Sequence, residues 1–389
     1  ARVTNRRYRR AGDGEAELWF AKLAVKMKIT VINKKEFIMK TTLKKRTAII
    51  LSILLVLALF AGCASSAAPE ATAALETTEA PTATDAATEA PAEKTFTVGV
   101  LQFGSHPSLD NCYNGIAEIL SADPNVTIDL QNGNFDSTTC DTIAKNMAAK
   151  AYDLIIAIAT PAAISAYAAT ANTDIPVIFC AVSDPVAAGL VDDMNAPGGN
   201  CTGTSDVLDL SAQLELIRAF QPDAVNLGVL YTTSEANSVS QLKTLNELAP
   251  QYGFTVVSQG VQSAADIPQA AATLCAQVDC LTNFTDNNVV NNLAILLEQA
   301  NAAGVPVYGS EETQVTAGCL ASVSLDYLAL GRVTGQMALD VLNGAAASTM
   351  AVKTITDAVP VVNSDVLASF AMTLPEAYAK ATLVTTAAE

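Results

Sequence analysis

Polar side chains recur in this 389-residue chain at the ends of apolar, strand-like runs. In the first half they are Gln102 and His106, Asn132, Thr160, Ser183 with Asp184, and Ser205 with Asp206. In the second half they are Tyr231 with Ser234 and Glu235, Asn283 with Asp286 and Asn287, and Ser310 with Glu311. Carboxylates, amides and hydroxyls are all represented, but no lysine or arginine is. Such a set suits a ligand carrying an ammonium group, held by one or two carboxylates. A carboxylate on the same ligand would then be met only by hydroxyls and by the free amides at a helix start. The two requirements together describe a zwitterionic amino acid.

Each residue taken singly has a plainer reading. Leu154–Thr160 is an apolar run that reads as a strand buried on both faces. Thr160 is then placed as the N-cap of a helix with Pro161 at its first position. A capped turn with no ligand would look the same. Asp184 precedes Pro185, so it either caps a turn or meets the ligand. Ser234 and Glu235 read as a cap and a first-turn acid, and Asn283, Asp286 and Asn287 as turn residues, or all as ligand contacts. Glu311 with Glu312 is a solvated pair or a site carboxylate, and Asp206 is a hinge residue or a ligand contact. His106, the sole histidine, precedes Pro107 and reads as a loop residue rather than an acid–base group.

Catalytic and cofactor signatures are missing from the sequence. It has no G-x-S-x-G elbow, no H-E-x-x-H, no Walker A loop and no glycine fingerprint after a strand. The seven cysteines after Cys63 are scattered without metal-ligand spacing, so the reading is buried free thiols and no metal site.

Stepping through the elements, strand-like runs cover Phe96–Leu101, Val126–Leu130, Leu154–Ala159, Ile175–Val182 and Cys201–Val207. Helical patterns at Leu109–Leu120, Thr138–Ala149, Ala162–Ala169 and Val186–Met194 alternate with them, and Ser211–Phe220 follows as a short helix. A second series has strands at Asn226–Leu230, Thr255–Val261, Cys280–Asn283 and Val305–Tyr308. Its helices are Asn237–Ala249, Ala264–Ala276 and Val289–Ala302. This alternation predicts an α/β fold of parallel sheets covered on both faces. Some 295 residues exceed one comfortable core, which divides them into two doubly wound lobes. V-G-V-L at Val98–Leu101 echoes L-G-V-L at Leu227–Leu230, as though each opened a lobe. The expected division is residues 95–208 with about 320–345 for the first lobe, and 209–319 with about 346–389 for the second.

The N-terminal region reads as export machinery. Residues 1–38 lack element logic and are expected to be an upstream, non-native segment. Residues 39–62 pair a basic start with an apolar run of signal-peptide length, ending L-F-A-G-C at Cys63, a lipobox-like site with Phe60 where Leu is usual. Residues 63–94 are rich in Ala, Thr, Glu and Pro and read as a disordered, lipid-anchored linker. Residues 1–62 hold 14 of the 22 basic and 4 of the 39 acidic residues, leaving 8 basic against 35 acidic. That balance excludes nucleic acid as a partner. The two arginines beyond residue 62, Arg218 and Arg332, form no anion clamp.

Ordered motifs along residues 95–370 then carry a resemblance. They are H-P-S-L-D (His106–Asp110), I-A-T-P-A-A (Ile158–Ala163), I-P-V-I-F-C-A-V-S-D-P-V-A-A-G-L-V (Ile175–Val191) and P-G-G-N-C-T-G-T-S-D (Pro197–Asp206). Q-L-E-L-I (Gln213–Ile217), N-L-G-V-L-Y-T-T-S-E-A-N-S (Asn226–Ser238), T-D-N-N-V-V (Thr285–Val290) and G-C-L-A-S-V-S-L-D-Y (Gly318–Tyr327) follow. Together they resemble the ABC transporter substrate-binding lipoprotein family that includes tryptophan-binding members. The resemblance implies a type I periplasmic-binding-protein fold: two α/β lobes with a multi-crossover hinge that close on a ligand and pass it to a membrane permease and its ATPase. It implies an extracytoplasmic, lipid-anchored monomer with no enzymatic activity and no cofactor. On matching positions, Thr160 and Ala162 would hold the ligand carboxylate. Asp184, Asp206 and Glu235 would be candidates for the ammonium, with Asn283 and Asp286 closing from the second lobe. Gln102, Ser183, Tyr231, Ser234 and Glu311 complete the expected contacts. Phe103, Tyr113 and Tyr231 would line a side-chain pocket or belong to the core. The competing readings are a sensory lipoprotein uncoupled from transport and an exported two-lobe enzyme.

Overall fold

The computed structural model describes residues 94–355 and 358–387, which lie in one compact unit spanning Thr88–Glu389. The signal-like segment, Cys63 and the linker up to residue 93 fall outside the described residues.

The first sheet has six parallel strands in the order β11-β5-β4-β3-β1-β2. These are β1 (Phe96–Gln102), β2 (Val126–Asn132), β3 (Leu154–Ile158), β4 (Val177–Cys180), β5 (Cys201–Ser205) and β11 (Lys353–Thr354). Every residue of β3 and β4 is buried, as apolar strands between two helical layers must be. The layers are α1 (Pro107–Leu120), α2 (Ser137–Ala149), α3 (Thr160–Thr170) and α10 (Tyr327–Leu342). α10 crosses α1 at two glycines: a Cβ on Gly115 would lie 2.2 Å from the Leu328 carbonyl, and one on Gly331 2.1 Å from that of Cys112. This close approach fixes the start of α1, where His106 and Ser108 sit.

The second sheet is parallel, in the order β7-β6-β8-β9: β6 (Asn226–Thr232), β7 (Thr255–Val261), β8 (Cys280–Thr282) and β9 (Val307–Tyr308). Around it pack α4 (Leu210–Phe220), α5 (Ala236–Leu248), α6 (Ile267–Cys275), α7 (Asn287–Asn291), α8 (Leu293–Ala303) and α9 (Glu312–Thr316). A small sheet of β10 (Ala321–Ser324), β12 (Val359–Asn363) and β13 (Thr382–Val384) joins this lobe through Leu320, Ala321 and Val362. One apolar cluster fills the first lobe and two flank the second sheet. The chain changes lobes after β5, between β10 and α10, and again between β11 and β12.

Several expectations need correcting. Val186–Met194 is not a helix. Asp184 accepts from the Ala187 amide at 2.9 Å, and the turn closes at Gly189 in a left-handed conformation (φ 71°) that a helix cannot continue. The helix expected at Val289–Ala302 is two helices broken at Asn292 (φ −116°, ψ 24°), whose side chain donates to the Asn288 carbonyl at 2.8 Å. The lobe division also shifts: β11 pairs with β5 of the first sheet, while Ala321–Ser324 pairs with β12 in the second lobe. Short strands such as β11 carry no periodicity of their own, so only their pairing places them.

Candidate functional site

The carboxyl ends of both parallel sheets face each other across a cleft, where open α/β sheets place their ligands. Three hydroxyl contacts hold the lobes together there. Ser183 Oγ and Thr285 Oγ1 are 2.9 Å apart, Ser108 Oγ and Thr313 Oγ1 are 3.1 Å apart, and Ser240 donates to the Asp184 carboxylate. Between the lobes lies a cavity of about 20 Å³, room for roughly one water, so a ligand of amino-acid size enters only when the lobes part.

Thr160, Ser183, Asp206 and Glu311 line this cavity. Asp206 accepts from Ser183 Oγ at 2.9 Å and from the Tyr327 hydroxyl at 3.0 Å. Glu311 is the N-cap of α9, accepting from the amides of Thr313 at 2.6 Å and Gln314 at 3.0 Å. Burial raises the pKa of both carboxyls. Among the described residues, no lysine or arginine lines the cavity. Arg218 is held elsewhere by four backbone carbonyls and stacks on Phe254 at 3.9 Å, and Arg332 pairs with Glu118 at 2.9 Å on the surface. Two buried carboxyls in one cavity, with no basic side chain among the described lining residues, have the chemistry to accept hydrogen bonds from an ammonium.

Thr160 is not the N-cap expected from the sequence. The cap is Ala159, with φ 77° and ψ 153°, a conformation that costs a non-glycine residue on the order of 1–3 kcal/mol. The chain therefore turns one residue early and Thr160 enters the helix itself. Its hydroxyl is buried without a partner, and no side chain caps the first-turn amides of α3. Ala181, also in the cavity wall, has φ 56°. Strain at two adjoining strand ends accompanies this opening of donors toward the cavity.

The other predicted residues sit apart from the cavity. Gln102 ties β1 to α1, donating to Gly104 O at 2.8 Å and Asp110 Oδ1 at 2.7 Å. Ala162 is fully buried in the first core, Tyr231 packs against the second, and Asn283 donates to Gln314 Oε1 at 3.1 Å behind the cavity wall. Asp184 holds the interlobe contact with Ser240. Asp286 accepts from the Thr232 amide (2.6 Å), Thr232 Oγ1, Ser238 Oγ and the Val289 amide, which uses its acceptor capacity within the second lobe. Glu235 accepts from Asn287 and from the Asn288 amide at the head of α7, and with Ser234 it borders a separate hollow. Burial, then the nearby Asp286, pushes the Glu235 pKa up to about 7. Phe103 meets Phe135 edge-on at 5.7 Å and Tyr113 packs on the first core; neither lines the cavity.

Several cavity residues carry no mark in the sequence. Asn237 lines the cavity with its Oδ1 buried and unpartnered, while its amide nitrogen donates to Thr285 O at 2.8 Å. Leu109, Val290, Gln314 and Tyr327 also line it, and nothing local in the sequence marks them. His106 lies in the loop before α1, as its place before Pro107 predicts, and its imidazole is in the cavity wall. Burial lowers its pKa to about 4, against opposing effects of Asp110 and Asn287. Its position before Pro107 at a helix start was the available signal.

The chain is 37% identical over 286 residues to the tyrosine-binding protein of Clostridioides difficile (strain R20291), covering 72% of this chain and 82% of that protein. It superposes on the ABC domain from Streptococcus pneumonia in complex with L-Trp with a TM-score of 0.73, at 35% identity, covering 75% of this chain and all of that one. Against the ligand-free, open structure of a substrate binding protein with adhesive properties from Clostridium difficile the TM-score is 0.60, at 38% identity and the same coverage. At similar identity the fold thus lies nearer the liganded relative than the open one, as the interlobe hydroxyl contacts require. Residues 97–385 match the sequence model for ABC transporter substrate binding proteins, and the chain belongs to that family.

Proposed function

We propose that this protein is the solute-binding component of an ABC importer and that it takes an aromatic amino acid between its lobes. The observation that carries this reading is the pair Asp206 and Glu311, buried in a cavity that no lysine or arginine among the described residues lines, beside an uncapped helix start. The carboxylates and Asn237 Oδ1 receive the ligand ammonium. The Thr160 hydroxyl and the first amides of α3 receive its carboxylate. A tyrosine-binding relative and one solved with L-Trp support an aromatic side chain. Ligand bridging both walls stabilises the closed lobes, and the closed shape is what a permease would accept. The protein is exported, anchored by lipid at Cys63 and monomeric in this reading.

A thermal-shift screen of the full chain against the twenty amino acids tests it. A ligand at 100 times its Kd adds about 2.7 kcal/mol to stability. Shifts confined to aromatic amino acids are expected, and no shift with any amino acid overturns the reading. Incorporation of radiolabelled palmitate, abolished by Cys63→Ser, tests the anchor.

A further inference from the structure

We propose that the hollow beside the inner cavity, also walled by both lobes, is a second binding site, for an uncharged, hydroxyl-bearing ring of the monosaccharide class. The inference is independent of the amino-acid reading above and goes beyond it.

The hollow has a free volume of about 380 Å³, against about 20 Å³ in the inner cavity. That lies in the range of small-molecule sites. Phe103, Phe135 and Pro161 of the first lobe border it on one side, and Gln262, Asn288 and Asn291 of the second on the other. No residue lines both spaces, and the wall between them is thin. Thr160 lines the cavity and Pro161 the hollow; Asn287 lines the cavity and Asn288 the hollow. His106 of the cavity wall stacks on Phe135 of the hollow, with ring centroids 6.1 Å apart.

Charge selects the class of occupant. Among the described residues no lysine or arginine lines the hollow, so no basic side chain meets an anion there. Its one carboxyl, Glu235, is already engaged. Oε2 accepts from the Asn237 side chain at 3.2 Å and from the Asn287 amide and side chain at 3.0 and 2.7 Å, and Oε1 accepts from the Asn288 amide at 3.0 Å. An ammonium would have to displace these bonds. Carboxamides and hydroxyls remain: Gln262, Asn291, Ser137 and Ser234 are exposed at the border. A carboxamide both donates and accepts, as a sugar hydroxyl does, so the two pair in either sense. The C–H face of such a ring would bury against the side formed by Phe103, Phe135 and Pro161.

Both sides are preformed. The Phe135 amide donates to the Phe103 carbonyl at 2.8 Å, and the two rings meet edge-on at 5.7 Å. Asn288 donates to Thr232 Oγ1 at 3.2 Å, and Asn292 to the Asn288 carbonyl at 2.8 Å. Such order lowers the cost of binding.

The test is titration of the full chain by saturation-transfer NMR with glucose, galactose and N-acetylglucosamine, and with glucuronate as the anionic control. At least one neutral sugar should bind, and glucuronate should not. Asn291→Ala and Gln262→Ala each remove an exposed carboxamide outside the core and should weaken sugar binding on the order of threefold or more. Asp206→Asn, in the inner cavity, should leave the sugar affinity unchanged. No binding by any neutral sugar, tighter binding of glucuronate, or an affinity unchanged in both carboxamide variants overturns the proposal. A loss confined to Asp206→Asn also overturns it, because the sugar then sits in the inner cavity. The thermal-shift screen reads amino-acid binding separately, so neither reading stands or falls with the other.

Discussion

Glu235 stands at the N-cap of α5, but its carboxylate serves another helix: it accepts from the Asn287 backbone amide at 3.0 Å and from the Asn287 side chain at 2.7 Å. The acid therefore caps α7 across the second lobe, and its own helix receives no side-chain cap. Asp286, the residue before Asn287, reaches back to Thr232 and Ser238 at the β6–α5 junction. The two junctions are cross-linked by reciprocal carboxylates, which fixes the second-lobe wall of the cavity.

Replacing the carboxyl at this junction by an amide should cost stability. Glu235→Gln replaces an oxygen that accepts from Asn287 and Asn237 with a donor, leaving buried amide groups unmatched. The expected loss is about 1–3 kcal/mol in denaturant unfolding at neutral pH. The pH dependence has a definite sign. The folded-state pKa of about 7 lies above the ordinary 4.5, so folding takes up a proton and the contribution of Glu235 is full below pH 4.5. It is lost as pH rises through about 7. The difference in stability between wild type and Glu235→Gln should therefore shift against the wild type over that window, and a pH-independent difference would refute it.

Asp206→Asn and Glu311→Gln should each weaken amino-acid binding by roughly 1–3 kcal/mol, read by calorimetry. Burial raises both pKa values, so the wild-type affinity should increase as pH rises and the carboxyls ionise. N-acetylation of the ligand should remove this dependence together with most of the affinity. Equal binding of the acetylated ligand would exclude the ammonium contact.

Thr160→Val separates binding from folding. The hydroxyl is buried without a partner, so its removal should leave the stability of the ligand-free protein unchanged or higher. Affinity should still fall by about 1 kcal/mol or more, because the ligand carboxylate loses a donor. Unchanged affinity would remove Thr160 from the site.

Ser240→Ala breaks the contact between α5 and Asp184 that spans the lobes. Only the closed arrangement contains that contact, so ligand affinity should fall by roughly 0.5–1.5 kcal/mol. Small-angle scattering should show a larger radius for the ligand-free variant. Identical affinity and radius would show that closure does not depend on it.

Ala159→Gly should relieve the strained turn before α3. At φ 77° and ψ 153° glycine is at ease and alanine is not, so thermal unfolding should report a gain of about 1 kcal/mol. A loss would mean that the Ala159 methyl contributes more by packing than its backbone costs.

Much of the architecture is legible in local pattern. The continuous burial of Leu154–Ile158 follows from an apolar run without alternation, and the β/α alternation implies parallel sheets. That no arginine cluster stands ready to clamp an anion follows from there being two arginines beyond residue 62. Local pattern could not say which strand ends meet. Asp206 and Glu311 reach one cavity, while Glu235 and Asp286, equally acidic and equally placed after strands, turn inward to cap and tie their own lobe. A carboxylate at a strand end has both options, and the choice depends on which amides the folded loops bring within about 3 Å. His106 is the sharpest case. Its Nδ1 is buried without a partner among the described residues, in the wall between the lobes, a placement set by the closed tertiary structure and by no feature of the H-P dipeptide.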